Sequence, residues 1–379
     1  MTIRTETTPR VRAPFKADHV GSFLRPARLK EARLRFGDGD LSREELTRIE
    51  DEEIRRLVKA QKENGIQGVT DGEFRRSWWH LDFLAGLDGI ELYQQPEGTR
   101  KFQGVEVRPG GIKVTGKVGY SGSHPFIGHF KSLKEIAGED TAVKFTIPSP
   151  NLVVARARFE TAAYDRPEDV YADLIPAYRA LIRDLYDAGC RYLQIDDTAW
   201  TSFFTDEERN RIREGGSDPD ALIHRFAEAI NGVIDGRPDD LLVMMHICRG
   251  NFRSHYFTSG GYEQAAKVIF GELQVDGLFL EFDDERSGGF EPLRFVNRPD
   301  LTVVLGLITT KRPELEDEKV IKARILEAAR YLPLEQLALS PQCGFASTEE
   351  GNNLTEEEQW AKIRHVVSIA EDIWGPGAR

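Results

Sequence analysis

The residue types that could hold a metal ion stand at the ends of three apolar runs of the sequence. His246 and Cys248 close the run LLVMMHIC, Glu281 closes VDGLFLE, and Cys343 follows LALSPQ. Two thiolates, an imidazole and a carboxylate suit a tetrahedral zinc site. His246 and Cys248 are two residues apart, so their side chains project to the same side at a strand end. The pattern predicts a zinc site assembled from three separate strand ends.

A site of this kind is typical of catalytic rather than structural zinc, because structural sites tend to use paired CxxC motifs, which this sequence lacks. Zinc with thiolate ligands is better suited to holding a substrate thiol as a nucleophilic thiolate than to making hydroxide. We therefore expect alkyl transfer to sulfur, with Glu281 as the weakest ligand and the one that the substrate displaces. The alternative, a Cys–His nucleophile pair, would leave the second cysteine and Glu281 without a role. Cys190 is expected to be a small buried hydrophobe.

Polar side chains also follow other predicted strands. Glu73 and Asp196 could bind a substrate ammonium, and Ser22 with nearby backbone N–H groups could hold a carboxylate. Together these three would bind an amino acid. The alternative for each is a cap on the helix that follows.

Two further residues are candidates for proton transfer. His19 is either a general acid near the pocket or a buried structural histidine. Lys311 is a proton donor, a clamp for a carboxylate or phosphate, or a solvated charge.

Short apolar runs rich in β-branched residues alternate with stretches of helical period, which is typical of βα units around a parallel sheet. The predicted strands are 15–19, 65–70, 143–147, 191–195, 241–246, 277–281, 302–307 and 336–340. The predicted helices are 42–64, 167–188, 218–234, 262–273, 317–331 and 355–373. Eight parallel strands predict a TIM (β/α)8 barrel, in which functional groups gather at the C-terminal strand ends.

The domain organisation predicted from this pattern is one barrel over residues 1–379. Residues 1–12 are expected to form an N-terminal arm. Residues 74–141 contain Trp78, Trp79, many glycines and an alternating segment over 111–120. This predicts a hairpin-bearing insertion after the second strand, covering the mouth of the barrel.

Composition narrows the class of partner. A formal net charge of −12 opposes nucleic-acid binding, although Arg75 and Arg76 stand beside two tryptophans. We find neither a membrane span nor a secretory signal, and three cysteines are too few for a disulfide framework. These features predict a cytoplasmic protein that acts on small molecules, and they select no oligomeric state.

The sequence resembles a known family, the catalytic C-terminal barrel of cobalamin-independent methionine synthase and its shorter single-barrel relatives. The resemblance runs from DHVGSFLRP through TDGEF, YLQIDD and HIC to SPQCGF, which is nearly the whole chain. It implies that His246, Cys248, Glu281 and Cys343 bind zinc, and that Ser22, Glu73 and Asp196 match positions that bind homocysteine. The implied reaction is methyl transfer to homocysteine, which yields methionine.

The sequence also departs from that family. The full-length enzyme has an extra N-terminal barrel for which 379 residues leave no room, and no tryptophan stands between Trp79 and Trp200, where the family has one associated with folate. The family's catalytic histidine after the seventh strand corresponds here to Lys311. The methyl donor is therefore a methyl-folate, a methylated corrinoid protein or another small methylated compound.

Two other functions compete with the methyltransferase. The chain is also similar to epoxyalkane:coenzyme M transferase, a single barrel that uses zinc to activate a thiol carrying a sulfonate. Arg249 or Lys311 could serve that sulfonate, whereas the acidic anchors Glu73 and Asp196 favour the ammonium of homocysteine. A non-catalytic metal-binding barrel is the third possibility, and it predicts no turnover with any thiol.

Overall fold

The structure, a computed structural model, describes residues 13–94, 101–102, 105–106 and 110–377, so the predicted N-terminal arm lies outside the described residues. Its strands are β1 (Gly68–Val69), β2 (Asp88–Gln94), β3 (Lys101–Phe102), β4 (Val105–Glu106), β5 (Gly110–Gly119), β6 (Ala142–Pro148), β7 (Arg158–Phe159), β8 (Tyr192–Asp197), β9 (Leu242–Ile247), β10 (Gly277–Glu281), β11 (Thr302–Ile308) and β12 (Leu337–Pro341). Its α-helices are α1 (Ala27–Gly37), α2 (Arg43–Glu63), α3 (Leu81–Leu84), α4 (Pro125–Ala137), α5 (Asn151–Arg156), α6 (Tyr171–Asp187), α7 (Asp206–Glu214), α8 (Pro219–Ile234), α9 (Ala266–Gly271), α10 (Glu318–Ala328) and α11 (Glu356–Trp374).

Seven strands form one curled parallel sheet in the order β1, β6, β8, β9, β10, β11, β12. The eighth position is taken by the segment near Ala17, which bridges in parallel to Leu339 of β12, while Ser22 bridges to Gly72 beyond β1. The first segment thus joins the two edges of the sheet. This confirms the α/β barrel fold predicted from the sequence.

The first segment is not the regular strand that was predicted over 15–19. Its backbone groups are partly taken by side chains, because Lys144 donates to the carbonyl of His19 and Gln194 donates to that of Val20. The N–H of His19 in turn donates to the Asp18 carboxylate. These bonds replace rungs of a ladder, and only isolated bridges remain.

The second predicted strand, 65–70, shortens to the two residues of β1 for a similar reason. Both backbone groups of Thr70 are paired with one side chain, since its N–H donates to Gln61 and its carbonyl accepts from the same amide. Gln61 lies in α2, so the helix that packs outside the sheet ends the ladder.

Helix boundaries follow from capping groups. Ser42 and Glu45 form a capping box at the start of α2, and Thr355 and Glu358 do the same for α11. The helix predicted over 262–273 begins four residues late, at Ala266, after a turn in which the N–H of Ala265 donates to the carbonyl of Tyr262.

The segment between β1 and β6 holds more than a hairpin. Strands β2 and β5 pair antiparallel, with Ile90 opposite Val114, and β7 joins β5 in parallel. Helix α4 then packs on the sheet, with the rings of Phe126 and Phe130 against Phe145 of β6. The crossover helix that the sequence pattern missed is therefore α4.

The inside of the barrel combines an apolar layer with a buried ion pair. Lys144 is fully buried, its Nζ lies 3.2 Å from Oδ1 of Asp18, and it faces the ring of Phe279 at 4.0 Å. The Tyr192 hydroxyl donates to the other oxygen of Asp18. These bonds hold the first segment inside the barrel.

Among the described residues, no helix combines the length and apolar character needed to cross a bilayer.

Candidate metal centre

The C-terminal ends of β9, β10 and β12 bring four potential metal ligands together, with β11 between β10 and β12 in the sheet. His246 lies in β9 with Cys248 just beyond it, Glu281 ends β10, and Cys343 follows β12. One ligand atom from each residue lies within 4.8 Å of those of the other three, and all four residues are buried. The sequence predicted this set because parallel strands converge at their C-terminal ends.

The two sulfurs test whether the site fits a tetrahedral zinc. The Sγ atoms of Cys248 and Cys343 lie 3.6 Å apart. Two thiolates bound to one zinc at about 2.3 Å would be separated by about 3.8 Å in a tetrahedron. The pair is therefore spaced as such an ion requires, and His246 and Glu281 complete the ligand number.

Electrostatics in the cluster favour a cation. Burial alone would lower the pKa of His246, but the hydrogen bond that His246 donates to Asp196, with the charges of Cys343 and Glu281, raises that pKa to about 9. The hydrogen bond from Cys248 lowers the pKa of the Cys343 thiol, and the same bond and burial raise the pKa of Cys248. A positive charge at this place is stabilised by its neighbours.

A cavity opens directly over these ligands. Its wall includes His246, Cys248 and Cys343, and the cavity is open to solvent on one side. The wall also contains the predicted substrate residues Ser22, Glu73 and Asp196. Glu281 is not on the wall but belongs to the ligand cluster just behind it. The structure thus brings seven of the nine predicted site residues together.

Glu73 offers an unpaired carboxylate oxygen at the cavity. Its Oε1 accepts from the Thr146 hydroxyl at 2.9 Å and lies 3.4 Å from Arg76, whereas the buried Oε2 has no partner among the described residues. Burial raises the pKa of Glu73, and Arg76 opposes this. Its φ of 60° is rare for a side-chain-bearing residue, and such strain is concentrated at functional sites.

Ser22 and Asp196 have protein partners already. Ser22 Oγ accepts from the N–H of Ala346 at 3.3 Å, which leaves its own proton for a ligand. Asp196 Oδ1 accepts from Gln194 at 2.7 Å and lies 3.2 Å from Nδ1 of His246. Asp196 therefore orients a metal ligand in addition to facing the cavity.

The structure does not place His19 or Lys311 on the cavity wall. The His19 ring is buried, and its Nε2 donates to the carbonyl of Gly68 at 3.0 Å. Burial and the charge of Lys144 lower the pKa of His19 to about 4, so the ring is neutral at neutral pH. Lys311 is ion-paired with Asp283 at 2.5 Å. Neither contact brings a dissociable proton to the cavity.

The basic residues considered for anionic partners are also occupied. Arg75 pairs with Glu50 and Asp51 in the interior, and the buried Arg76 donates to the carbonyl of Thr146. The guanidinium of Arg249 donates to the carbonyl of Gly260 and to Tyr262. These arginines support the fold around the site and present no basic stripe.

Sequence reasoning missed several residues of this site. Arg286 lies 3.3 Å from Oε2 of Glu281, and Phe252 and Phe257 line the cavity near Trp78. Phe252 and Trp78 stack with ring centroids 6.1 Å apart. Phe252 and Phe257 lie in the loop beyond β9, and Arg286 lies in a short 3-10 helix beyond β10. Only these positions beyond strand ends could have drawn attention to them.

Comparison with known sequences gives one family and several relatives. The family described as the catalytic domain of cobalamin-independent synthase matches residues 15–372. A Bacillus subtilis protein, YxjH, is 54% identical over 369 residues, which cover 97% of each chain. A methionine synthase from Sulfolobus acidocaldarius is 22% identical over 328 residues, 86% of this chain and 84% of that protein.

Solved structures show the same architecture. A candidate vitamin-B12-independent methionine synthase from Listeria monocytogenes is 46% identical, with a TM-score of 0.79 over 96% of this chain and 99% of that one. A B12-independent methionine synthase from Shewanella sp. W3-18-1, in complex with selenomethionine, is 19% identical, with a TM-score of 0.73 over 96% and 98% of the two chains. At that identity the second similarity speaks for the fold alone.

Proposed function

Since this chain belongs to the family of cobalamin-independent methionine synthases, we propose that it is a zinc-dependent enzyme that transfers a methyl group to the sulfur of homocysteine. The proposal rests above all on one observation: the ligand cluster borders a cavity whose wall includes Glu73, and the buried Oε2 of this carboxylate has no partner among the described residues. A thiol and an ammonium on one small molecule match these two features. Homocysteine carries both.

The donor set supports zinc as the metal. His246, Cys248, Glu281 and Cys343 would hold it, with the sulfur and nitrogen ligands that zinc prefers. When bound, zinc would keep the substrate sulfur as a thiolate that stays nucleophilic at neutral pH. The rest of the work falls to the residues of the cavity.

Two carboxylates would hold the substrate ammonium. Oε2 of Glu73 is buried and unpaired among the described residues, so an ammonium there gains a charge-assisted hydrogen bond without displacing a protein partner. Asp196 faces the same cavity. The Ser22 hydroxyl and the positive charge of Arg156, also on the wall, suit the substrate carboxylate. The amino acid is thereby oriented with its sulfur toward the ligand cluster.

The same charges disfavour coenzyme M as the thiol. A sulfonate beside Glu73 and Asp196 would meet two carboxylates in a buried setting, where like charges repel strongly. Arg249 and Lys311, considered for the sulfonate, are engaged with Gly260 and Asp283. We therefore favour homocysteine over the sulfonate.

The methyl donor would enter through the open side of the cavity. Trp78, Phe252 and Phe257 line it and provide flat apolar surface that excludes water from the reacting atoms. The substrate sulfur forms its bond to the methyl carbon as the bond from that carbon to the donor atom breaks. The electron pair of the broken bond stays on the donor atom, and the sulfur, the methyl carbon and the donor atom must lie in line. The proposed donor is a methyl-folate or a methylated corrinoid protein.

The experiment is a donor panel with purified, zinc-loaded protein. L-Homocysteine is incubated with 5-methyltetrahydropteroyltriglutamate in one arm and with a methylated corrinoid protein in another, and methionine is quantified. Coenzyme M with an epoxide forms a third arm. We expect methionine from one donor and no product from the third arm. Zinc-loaded protein with no turnover in any arm would support the non-catalytic barrel instead.

The proposal places this reaction in the cytoplasm, where the three free cysteines stay reduced.

A further inference from the structure

The carboxylate of Glu281 has a protein partner on each oxygen. Oε1 accepts from the backbone N–H of Arg249 at 2.9 Å, and Oε2 lies 3.3 Å from the guanidinium of Arg286. Glu281 is fully buried, so this arginine is its counter-ion in a setting where water cannot substitute.

Arg286 is itself fixed in place. It lies 3.3 Å from Oδ1 of Asp283, its Nε donates to Asp284 at 2.8 Å, and its guanidinium lies 4.2 Å from the ring centre of Tyr256. Asp283 pairs with Lys311 through its other oxygen. Lys311, Asp283 and Arg286 thus form a series of ion pairs that ends at Glu281. The guanidinium cannot swing away without breaking this network.

The other three candidate ligands have no arginine or lysine partner within the described residues. His246 faces the carboxylate of Asp196, Cys248 accepts from the N–H of Gly250, and Cys343 lies 3.9 Å from the Ser347 hydroxyl. In the part of the chain that the structure describes, Glu281 alone of the four is paired with an arginine or lysine. A cation on a carboxylate weakens that carboxylate as a ligand, because it competes with the metal for the same charge.

Charge balance shows what this cation can do. A divalent metal with two thiolates and one carboxylate carries a net charge of −1, and a third thiolate would raise this to −2 in a buried site. If the carboxylate leaves as the thiolate arrives, the metal centre stays at −1. The released carboxylate then needs a counter-ion, since an unpaired buried charge is costly.

We propose that Arg286 is a positioning residue that makes Glu281 the exchangeable ligand, by holding its second oxygen and receiving the carboxylate when the substrate thiolate binds. This inference rests on the proposed function. Asp283 and Lys311 keep the guanidinium where it can do so.

The test compares Arg286→Met with Arg294→Met. Arg294→Met is the matched control, because it also removes an ion pair between an arginine and a glutamate, Glu263, but on the exposed surface. Zinc affinity is measured by chelator competition, and homocysteine affinity for the zinc-loaded protein by calorimetry. We expect Arg286→Met to bind zinc about tenfold more tightly and homocysteine at least about tenfold more weakly, a scale set by residues that contact metal ligands. Arg294→Met should match the wild type in both.

Two further variants make the result decisive. In a Glu281→Gln background, Arg286→Met should no longer alter homocysteine affinity, because no charged carboxylate remains to be received. Arg286→Lys keeps the charge and should shift homocysteine affinity less than Arg286→Met, which gives a reading even if the methionine variant does not fold.

The outcomes separate this inference from the function it builds on. Weaker zinc binding by Arg286→Met, or unchanged homocysteine affinity, would show a merely structural arginine and overturn the inference. A zinc-loaded wild-type protein that binds no homocysteine would instead overturn the proposed function.

Discussion

Nδ1 of His246 lies 3.2 Å from Oδ1 of Asp196, so a carboxylate on the cavity wall also orients a candidate metal ligand. Gln194 donates to the same oxygen at 2.7 Å and holds the carboxylate in position. With Nδ1 directed at Asp196, Nε2 of His246, which lies 3.3 Å from the carbonyl oxygen of Gln342, is the nitrogen that would bind a metal. Carboxylate–histidine pairs of this kind fix the tautomer and raise the basicity of the ligand.

Asp196→Asn should therefore weaken both metal and substrate binding. We expect zinc affinity to fall by about 10- to 100-fold, the range for residues that support metal ligands. Homocysteine affinity should fall as well, since one of two anionic groups on the wall is lost. Chelator competition and calorimetry measure the two effects, with the exposed Asp235→Asn as the control. Zinc binding equal to the wild type would mean that Asp196 does not orient His246.

Glu73→Gln should weaken substrate binding while it leaves the metal in place. The amide cannot supply the anionic Oε2, and a hydrogen bond to a charged group contributes about 1.5–3 kcal/mol, or about 10- to 150-fold in affinity. Metal analysis and calorimetry of the same sample distinguish the two functions. A variant with lost zinc, or with unchanged homocysteine affinity, would contradict the assignment of Glu73 to the ammonium.

The cysteines divide into a pair that should hold metal and one that should not. Cys248→Ser or Cys343→Ser removes a thiolate from the cluster and should abolish zinc retention and activity. Cys190→Ser is the matched control, because its buried thiol lies near the carbonyl of Tyr192 and burial raises its pKa to about 12. Zinc is measured by elemental analysis after dialysis. Retention in Cys248→Ser or Cys343→Ser, or loss in Cys190→Ser, would show that the wrong pair was assigned.

His19 should make stability depend on pH. Its pKa is about 4 in the folded protein and 6.5 when exposed, so the unfolded chain binds more protons between these values. The contribution of His19 to stability is therefore fully present above about pH 6.5. Its loss lowers the free energy of unfolding by about 3 kcal/mol as the pH drops to 4. His19→Gln, whose amide can still donate to Gly68, should flatten this part of the profile in urea denaturation. An unchanged slope would show that His19 does not cause it.

Sequence patterns predicted most of the barrel and its ligand cluster because both depend on local order. Alternation of apolar runs with helical periods marks βα units, and strand ends of such units converge, so His246, Cys248, Glu281 and Cys343 could be placed together without coordinates. The insertion between β1 and β6 was harder to predict, because the alternating pattern of its hairpin hides the helical pattern of α4 that follows.

The remaining features depend on contacts between distant residues. The first segment has the composition of a strand, but Lys144 and Gln194 take its carbonyls, and neither is near it in sequence. The position of Arg286 beside Glu281 follows from a loop without regular spacing. His19 and Lys311 were considered for catalysis because they follow apolar runs, a signal that does not show which way a side chain points.

Zinc-edge X-ray absorption of the purified protein, with and without L-homocysteine and, separately, with coenzyme M, would show directly whether this site activates a thiol. We predict one zinc whose ligands are two sulfurs, one nitrogen and one oxygen, and which gains a sulfur and loses the oxygen with homocysteine alone. A zinc shell unchanged by homocysteine, or protein that binds no zinc, would contradict thiol activation at this site.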